Sequence, residues 1–317
     1  MEKPFFSIVI PTFNQSQFLE VALKSVFRQT FKSFEVIIID NNSKDSTKEV
    51  IKKYKDKIIF KKISNKGIIA KSRNLGIRTA KGKWIAFLDS DDCWSKDKLL
   101  IVKKIINKNN IDVICHSEWI INLEKNKIKL WSYGPYENKF YEKLLKYGNR
   151  FSTSASLVKK DFLNKKKILF NENKEFISSE DYGFFLSLAK KNARFNFEIE
   201  PLGYHFFHKQ STSANLVKHL NSTKCVLKFH LNNTRKIFIN KKKIWLEIKN
   251  FLNLKTILFN IKKNSPKTQI KKFAIFFINN PIFSSKYLCK LVTKKINDKI
   301  VYLIYRSKIK ELDEIYQ

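Results

Sequence analysis

Residues 84–92 read WIAFLDSDD, so that an apolar run from Trp84 to Leu88 is followed at once by an acidic cluster from Asp89 to Asp92. A short apolar run of this kind predicts a strand that is buried on both faces, as in a parallel sheet. Two carboxylates one residue apart, Asp89 and Asp91, can hold a hard divalent cation, and that cation can bridge a diphosphate. Short acidic clusters also form loops and helix N-caps, so the pattern alone leaves both interpretations open.

The residues around this run predict strands that alternate with helices. Strands are predicted at residues 5–10, 35–39, 58–63 and 113–115. Helices are predicted, from apolar residues at helical spacing, at residues 17–29, 43–54, 67–80, 95–109 and 180–191. Residues 125–175 give no clear assignment. The alternation predicts an α/β fold built on a parallel sheet.

Polar side chains follow three of the predicted strands at the point where each strand ends. Thr12 and Asn14 follow the first strand, Asp40 to Ser43 follow the second, and Asp89 to Asp92 follow the strand at 84–88. Ligands of such sheets bind beyond the carboxyl ends of the strands. The sequence therefore predicts that several strands deliver polar groups to one binding edge.

Four motifs in this order carry a resemblance to a known family. They are PTFN at 11–14, DNNSKDST at 40–47, NKGIIAKSRNLG at 65–76 and DSDD at 89–92. As a set, they resemble the bacterial family 2 glycosyltransferases, and the resemblance covers about residues 5–215. It implies the GT-A fold, a Rossmann-like, mixed and mainly parallel sheet flanked by helices. It also implies an enzyme that inverts the configuration of the transferred sugar.

The resemblance assigns the first two motifs to the nucleotide. Pro11, Thr12 and Asn14 match the segment that lines the nucleoside pocket. Asp40 matches the carboxylate that accepts hydrogen bonds from the base, and a carboxylate suits the uracil N3–H because it is an acceptor only. Ser43 lies in the accompanying turn. A UDP-sugar is therefore the expected donor.

The next two motifs are assigned to the diphosphate and the metal. Arg73 matches the motif arginine, whose planar fork suits phosphate or base edges, although an ion pair with protein carboxylates is the simpler alternative. Asp89 matches the acid near the ribose and is a second candidate metal ligand. Asp91 matches the ligand of Mn²⁺ or Mg²⁺. Asp92 either supports this site or caps the following helix.

Glu180 and Asp181 open the predicted helix at 180–191. An acidic pair at a helix N-terminus is favourable by itself, so it need not be catalytic. The family carries an acidic pair about 90 residues beyond the first acidic motif, and this resemblance makes Asp181 the general base. Inverting transfer needs a carboxylate that takes the proton of the acceptor hydroxyl. Glu180 would position the base or the acceptor, and which of the two acids is the base stays open.

A third segment, from Tyr204 to Ser213, holds two histidines in aromatic surroundings. Relatives often carry an aromatic and basic segment here that ends in Ser-x-Ser, as Ser211 and Ser213 do. His205 or His208 is therefore a further candidate ligand of the metal or the diphosphate. The alternative is a histidine that only packs in the core or on the surface.

The last third of the chain differs in composition from the rest. The 317 residues carry a formal net charge of +35, and residues 216–317 contain 23 basic and 5 acidic residues. We therefore predict two units, a transferase domain at 1–215 and a Lys-rich helical region at 216–317. Basic amphipathic segments such as 241–263 dock on anionic membranes, whereas an oligomer contact or an ordinary helical subdomain would give a similar pattern.

The sequence also predicts where the protein works. Its N-terminus lacks the features of a signal peptide, the four cysteines form no CxxC pair, and no apolar run reaches the roughly 20 residues that span a bilayer. We expect a cytoplasmic protein, with peripheral contact at the inner face of the cytoplasmic membrane. The Gln-x-x-Arg-Trp motif of processive synthases is missing, which predicts transfer of single sugars to a surface glycan or its lipid carrier.

Two other functions are compatible with parts of the sequence. The charge by itself would suit a nucleic-acid-binding protein, but such a protein has no use for three polar clusters rich in acids at strand ends. A relative that binds nucleotide sugar without catalysis would be expected to lose the acidic motif or the base. Asp91 and Asp181 are both present, so the sequence favours the enzyme.

Overall fold

The computed structural model describes residues 3–208, 215–234, 241–263 and 266–310. The strands are β1 (Phe6–Thr12), β2 (Phe34–Asp40), β3 (Ile59–Lys62), β4 (Trp84–Phe87), β5 (Cys93–Trp94), β6 (Val113–Asn122), β7 (Lys127–Trp131), β8 (Ser156–Lys159) and β9 (Phe195–Phe207). The helices are α1 (Ser16–Phe27), α2 (Thr47–Lys53), α3 (Ile69–Thr79), α4 (Lys98–Lys108), α5 (Phe140–Tyr147), α6 (Lys160–Lys166), α7 (Glu180–Lys190), α8 (Leu216–Asn232), α9 (Lys241–Lys263), α10 (Pro266–Asn279) and α11 (Pro281–Tyr305). Short 3-10 turns lie at Lys55–Lys57, Lys174–Phe176 and Arg306–Lys310.

The strands form one mixed sheet in the order β3-β2-β1-β4-β8-β6-β9-β5, with β7 paired to β6. The first four strands in this order are parallel. β8 runs antiparallel to both β4 and β6, and β6 pairs with β9 in parallel. This confirms the predicted α/β fold and adds an antiparallel half that the sequence pattern did not show.

Alternate residues of the central strands face two separate hydrophobic cores. Val9 and Ile37 belong to the core on the side of α3, and Ile8 and Ile38 belong to the core on the side of α1. Side chains of successive strand residues point to opposite faces, so a strand covered on both faces must be apolar throughout. All seven residues of β1 are buried accordingly.

Gly76 brings helix α3 unusually close to the sheet. A Cβ atom at this position would lie 2.2 Å from Cγ1 of Val9 on β1, so any larger residue would push the helix outward. Arg73 lies one turn earlier on the same helix. The close approach therefore holds Arg73 against the carboxyl ends of the central strands.

Two predicted helices begin later than expected. Helix α2 begins at Thr47 rather than at Ser43, because the Ser43 side chain and amide bind Asp40 and keep the intervening residues in a loop. Helix α4 begins at Lys98 rather than at residue 95. In the opposite direction, β6 extends from Val113 to Asn122, well beyond the predicted three residues, because three other strands pair with it.

The helices after the sheet are joined to the first unit by a shared core. Side chains of α8 and α9 enter the same core as β1 and α7, namely Val226, Leu227, Leu231, Ile244 and Ile248. The architecture therefore changes at residue 216 while the hydrophobic core continues across it. Among the helices that the structure describes, none is both long enough and apolar enough to cross a membrane.

Candidate active site

The loop after β2 is fixed by the carboxylate at its start. Asp40 is buried, and its Oδ1 accepts from the Ser43 hydroxyl at 2.5 Å and from the Ser43 amide at 3.1 Å. Ser43 Oγ in turn accepts from the amide of Asn14 at 2.9 Å, in the loop after β1. The two loops therefore form one edge, as the positions of their polar residues predicted.

Left-handed turn residues give these loops their shape. Asn14 has φ +50° and Asn42 has φ +57°, a region that asparagine tolerates better than most residues. Beside these turns, β1 ends at Thr12, just after Pro11. The hydroxyl of Thr12 is buried without a hydrogen-bond partner among the described residues, which is expected of a group that binds a ligand.

Arg73 joins the two acidic regions of the chain. Its Nη2 lies 2.7 Å from Asp89 Oδ1, and its Nη1 lies 2.8 Å from Glu180 Oε1. The side chain is almost completely buried. The Nε atom of Arg73 and the Oε2 atom of Glu180 find no partner within the described part of the chain. Asp89 and Glu180 are thus neighbours across one guanidinium.

Asp181 has the environment of a base. The half-buried carboxylate accepts from Asn149 Nδ2 at 3.1 Å. Burial, together with the negative charge of Glu180, raises the pKa of Asp181 to about 7. A carboxylate that titrates near neutral pH accepts a proton more readily than an ordinary aspartate. Glu180 lies in direct contact with the Arg73 guanidinium, at 2.8 Å from Nη1.

Asp91 pairs with a histidine from the end of the sheet. Its Oδ2 lies 3.0 Å from His208 Nε2, and the imidazole ring stacks on Phe18 with centroids 4.8 Å apart. Within the described residues, no group of three or more His, Cys, Asp or Glu side chains could hold a metal by itself. A cation that bridges a diphosphate needs only one or two protein carboxylates, because phosphate oxygens complete its shell. One carboxylate and one imidazole therefore fit a substrate-dependent divalent site.

Asp92 has a different role from the helix cap that was considered for it. It is buried, and it accepts from Ser154 Oγ at 2.5 Å, from the Phe206 amide at 3.1 Å and from His205 Nδ1. Burial opposes a charge on His205, but the Asp92 carboxylate outweighs this and raises the pKa of His205 to about 10. His205 is therefore held by Asp92, whereas His208 is the histidine that contacts Asp91.

Two of these supporting residues were missed by the sequence analysis. Ser154 and Asn149 both come from the stretch at 125–175 that gave no clear assignment. Ser154 also accepts from the Asp89 amide at 3.1 Å, so it supports both ends of the acidic motif. Neither residue carries a local signal, since each is an ordinary polar residue in a loop. The predicted Ser211 and Ser213 lie outside the described residues.

Comparison with known proteins agrees with the resemblance to the family 2 glycosyltransferases. The model of glycosyl transferase family 2 matches residues 7–165. A cholesterol galactosyltransferase of Borreliella burgdorferi is 26% identical, and the match covers 98% of this chain and 82% of the relative. The enzyme WfaP of Escherichia coli, a UDP-Glc:α-D-GlcNAc-diphosphoundecaprenol β-1,3-glucosyltransferase, is 32% identical, with 70% of this chain and 85% of the relative covered.

The fold has a solved counterpart as well. S. aureus TarS 1–349, crystallised in complex with UDP-GlcNAc, superposes with a TM-score of 0.58 at 19% identity, covering 98% of this chain and 89% of that one. At this identity the likeness concerns the fold, which agrees with the mixed sheet and its flanking helices. The family match, the fold and the order of the motifs together mean that the chain belongs to glycosyl transferase family 2 and is a glycosyltransferase.

Proposed function

We propose that this enzyme transfers one sugar, with inversion, from a UDP-sugar to a hydroxyl of a lipid-linked or surface-glycan acceptor. The observation that carries the proposal is the position of Arg73, which binds Asp89 on the donor side and Glu180 on the side of the base. Inverting transfer needs a base and a leaving group on opposite sides of one sugar carbon. Residues that are 91 positions apart in sequence meet here across a single side chain.

Three observations support UDP as the nucleotide. Asp40 can only accept hydrogen bonds while it is ionised, as recognition of the uracil N3–H requires. WfaP is named for a UDP-glucose donor, and TarS was crystallised with UDP-GlcNAc. Pro11, Thr12, Asn14 and Ser43 surround this carboxylate and would form the rest of the nucleoside pocket.

Asp181 would act as the base. Its carboxylate takes the proton of the acceptor hydroxyl while that oxygen forms a bond to the anomeric carbon and the bond to the nucleoside diphosphate breaks. Arg73 stays charged beside Asp89 and would stabilise the departing diphosphate through its free Nε–H. Glu180, held in place by Arg73, would orient the acceptor through its unpaired Oε2.

The residues also fit a divalent cation, Mn²⁺ or Mg²⁺, held by Asp91 with His208 and with Asp89 as a second carboxylate. Such a cation would supply positive charge that stabilises the leaving diphosphate. His205 is less suited to this role, because Asp92 already occupies its Nδ1.

The acceptor is inferred from the relatives. WfaP is named for a diphosphoundecaprenol-linked acceptor, and the Borreliella burgdorferi relative for cholesterol, so both act on membrane lipids. A similar acceptor would place this enzyme at the inner face of the cytoplasmic membrane, in the assembly of polysaccharide, lipopolysaccharide or capsule. In this arrangement, residues 1–215 would be the catalytic unit and residues 216–317 would contact the membrane.

Release of nucleotide from a donor panel tests the function. The purified protein would be given UDP-, GDP-, dTDP- and CMP-sugars with Mn²⁺ or Mg²⁺, in the presence of an extract of lipid-linked acceptors. We expect release from one UDP-sugar, loss of release with EDTA, and loss in Asp91→Ala. Asp56→Ala is the matched control, because Asp56 is exposed and lies outside the four motifs. Nucleotide binding without turnover over the whole panel would instead indicate a non-catalytic relative.

A further inference from the structure

Helix α11 has two apolar faces, of which only one is covered. On its inner face Val301 packs against Trp119 and Tyr204 of the sheet, and Tyr287 packs against Phe251 of α9. Two polar residues complete the inner face, since Lys294 and Asp298 both bond to Ser132 beside β7. This face is sufficient to attach the helix, because it contacts both the sheet and α9.

The opposite face of α11 is apolar and exposed. Val292, Ile296, Ile300 and Leu303 are 56%, 54%, 51% and 55% exposed. Their spacing of four, four and three residues keeps them on one side of a helix with 3.6 residues per turn. Helix α10 repeats the pattern on a smaller scale, with Ile275 49% and Ile278 74% exposed. A soluble monomer seldom exposes a continuous apolar row of this length without a use for it.

The charges around this face are of one sign. Exposed basic residues, Lys295, Lys299 and Arg306, follow one flank of the row. Between residues 241 and 310, the described acids are Glu247 and Asp298, and both are turned inward. Glu247 lies 3.0 Å from Lys146 of α5, and Asp298 accepts from the Ser132 amide at 3.1 Å. The outer surface of the helices is therefore apolar and basic.

We infer that the outer face of α11 docks on an anionic lipid bilayer, with its apolar row among the acyl chains and its basic flank on the headgroups. An amphipathic helix with this distribution lies in the plane of the membrane interface. A second copy of the chain is the less suitable occupant, because two basic flanks would face each other across a symmetric contact. The inference rests on the proposed function only in that the acceptor is a lipid.

The position of α11 connects docking to catalysis. Its inner face packs on Cys93 of β5 and on Tyr204 and Phe206 of β9. Cys93 follows Asp92 directly, and Tyr204 and Phe206 flank His205. A docked helix would thus lie between the bilayer and the two strands next to the acidic motif, β5 and β9, and it would hold them about one helix diameter, roughly 10–12 Å, from the lipid surface.

Flotation of the full chain with vesicles tests the inference. Vesicles of phosphatidylcholine with one-third phosphatidylglycerol should bind the protein, and vesicles of phosphatidylcholine alone should bind it much less. Ile296→Asp with Ile300→Asp should lower the partition constant at least tenfold. Ile199→Asp is the matched control for a single Ile-to-Asp change. Ile199 is 51% exposed, like Ile300, but it lies on β9. The Ile199→Asp variant should leave binding within twofold of the wild-type value.

The charged flank can be tested separately. Replacing Lys295, Lys299 and Arg306 by Gln should lower binding to the anionic vesicles about a hundredfold, since each basic residue near such a surface adds about a factor of five in binding. The dependence of binding on salt should become weaker at the same time. Ile296→Ala with Ile300→Ala, which adds no charge, should still lower binding and guards against misfolding of the Asp variant.

Two outcomes would overturn the inference. Equal vesicle binding by the wild type and the apolar-face variants would exclude this face, and a dimer that these variants dissociate in sedimentation would make a second copy the occupant. Nucleotide release from a soluble donor separates this question from the function. If a variant loses vesicle binding but still releases nucleotide, the change affects only docking. If the wild type floats with vesicles but releases no nucleotide, only the proposed function is contradicted.

Discussion

The strand-end cluster at 89–92 and the helix-start pair at 180–181 are both acidic, and both contact Arg73, yet their carboxylates are held in opposite ways. Asp92 in the cluster is buried and accepts from Ser154, Phe206 and His205. Asp181 in the pair is half-buried and accepts from Asn149 at 3.1 Å, beside another acid. Two side chains, Ser154 and His205, hold the Asp92 carboxylate from other parts of the chain, whereas Asp181 is held by the Asn149 side chain and the neighbouring Tyr182 backbone.

This difference indicates how one site can contain both a scaffold and a base. Hydrogen bonds to a carboxylate fix its position and favour its charged form, and at Asp92 they act against the burial that raises its pKa. At Asp181, burial and the like charge of Glu180 raise the pKa to about 7, so this carboxylate takes up a proton near neutral pH. The cluster therefore fits binding and the pair fits proton transfer, although the two sequences look alike.

The largest expected effect comes from Asp181, the proposed base. Asp181→Asn should lower kcat by about 10²–10⁴, because the acceptor hydroxyl loses its general base. Donor affinity, measured by calorimetry, should stay unchanged. Asp161→Asn is the matched control, since Asp161 is an exposed aspartate in the first turn of α6 as Asp181 is in the first turn of α7. An equal loss in both variants would contradict the assignment.

The stability of the Asp181→Asn variant relative to the wild type should depend on pH. The pKa of Asp181 is raised to about 7 in the folded protein, so the folded state binds more protons than the unfolded state between the ordinary aspartate pKa and that value. Stability contributed by this group is therefore lost as pH rises through about 7. At pH 8, Asp181→Asn should unfold at a higher urea concentration than the wild type. A lower midpoint would mean that the carboxylate is stabilising after all.

The next effect comes from the side chain that joins the two acidic regions. Arg73→Gln should lower the free energy of unfolding by about 3–5 kcal/mol, because the buried Glu180 and the half-buried Asp89 would lose their shared partner. Arg73→Lys should lose less stability, because it keeps the charge. Arg78→Gln, on the exposed face of the same helix, should change stability by less than about 0.5 kcal/mol. Urea denaturation measures all three, and equal stability of both Gln variants would argue against the ion pairs.

A smaller loss is expected in the strand-end cluster. Asp92→Asn should cost about 1.5–3 kcal/mol, because an amide oxygen replaces a carboxylate and the amide nitrogen faces a donor. Thermal unfolding at pH 7 would measure this loss, with the exposed Asp56→Asn as the control. If the two regions differ in this way, Asp92→Asn destabilises the protein and Asp181→Asn stabilises it at pH 8. Two changes of the same sign would remove the distinction between the two regions.

The smallest effect concerns the pH profile. Transfer should rise with pH on its acid side and level off near the pKa of Asp181, about 7. Glu180→Gln removes the nearby negative charge, which lowers the pKa of Asp181 and moves the acid limb of kcat to lower pH. Initial rates between pH 5 and 9 would show the shift. A limb that does not move would mean that Glu180 does not act on Asp181.

Much of the polar edge beyond the ends of β1, β2 and β4 was predictable from sequence. The strands β1, β2 and β4 are continuous apolar runs, and a polar cluster follows each of them. Parallel strands end at the same edge of a sheet, so the sequence alone predicts that Asp40 and Asp89 lie at one edge. The beginning of α2 was predicted wrongly, because Ser43 has the residue type of an N-cap but bonds Asp40 instead. The local sequence could not show whether the Ser43 hydroxyl caps a helix or binds Asp40.

The chain by itself determined the apolar strands, the order of the motifs and the family, because each depends on residue type at short spacing. The sequence also determined that α11 is rich in apolar and basic residues, but not which of its faces is covered. Only the tertiary structure decided that Arg73 bridges Asp89 and Glu180, that Asn149 and Ser154 each bind an acid, and that burial raises the pKa of Asp181. These features depend on contacts between residues that are distant in sequence, and the pKa of a carboxylate is set by those contacts rather than by its neighbours along the chain.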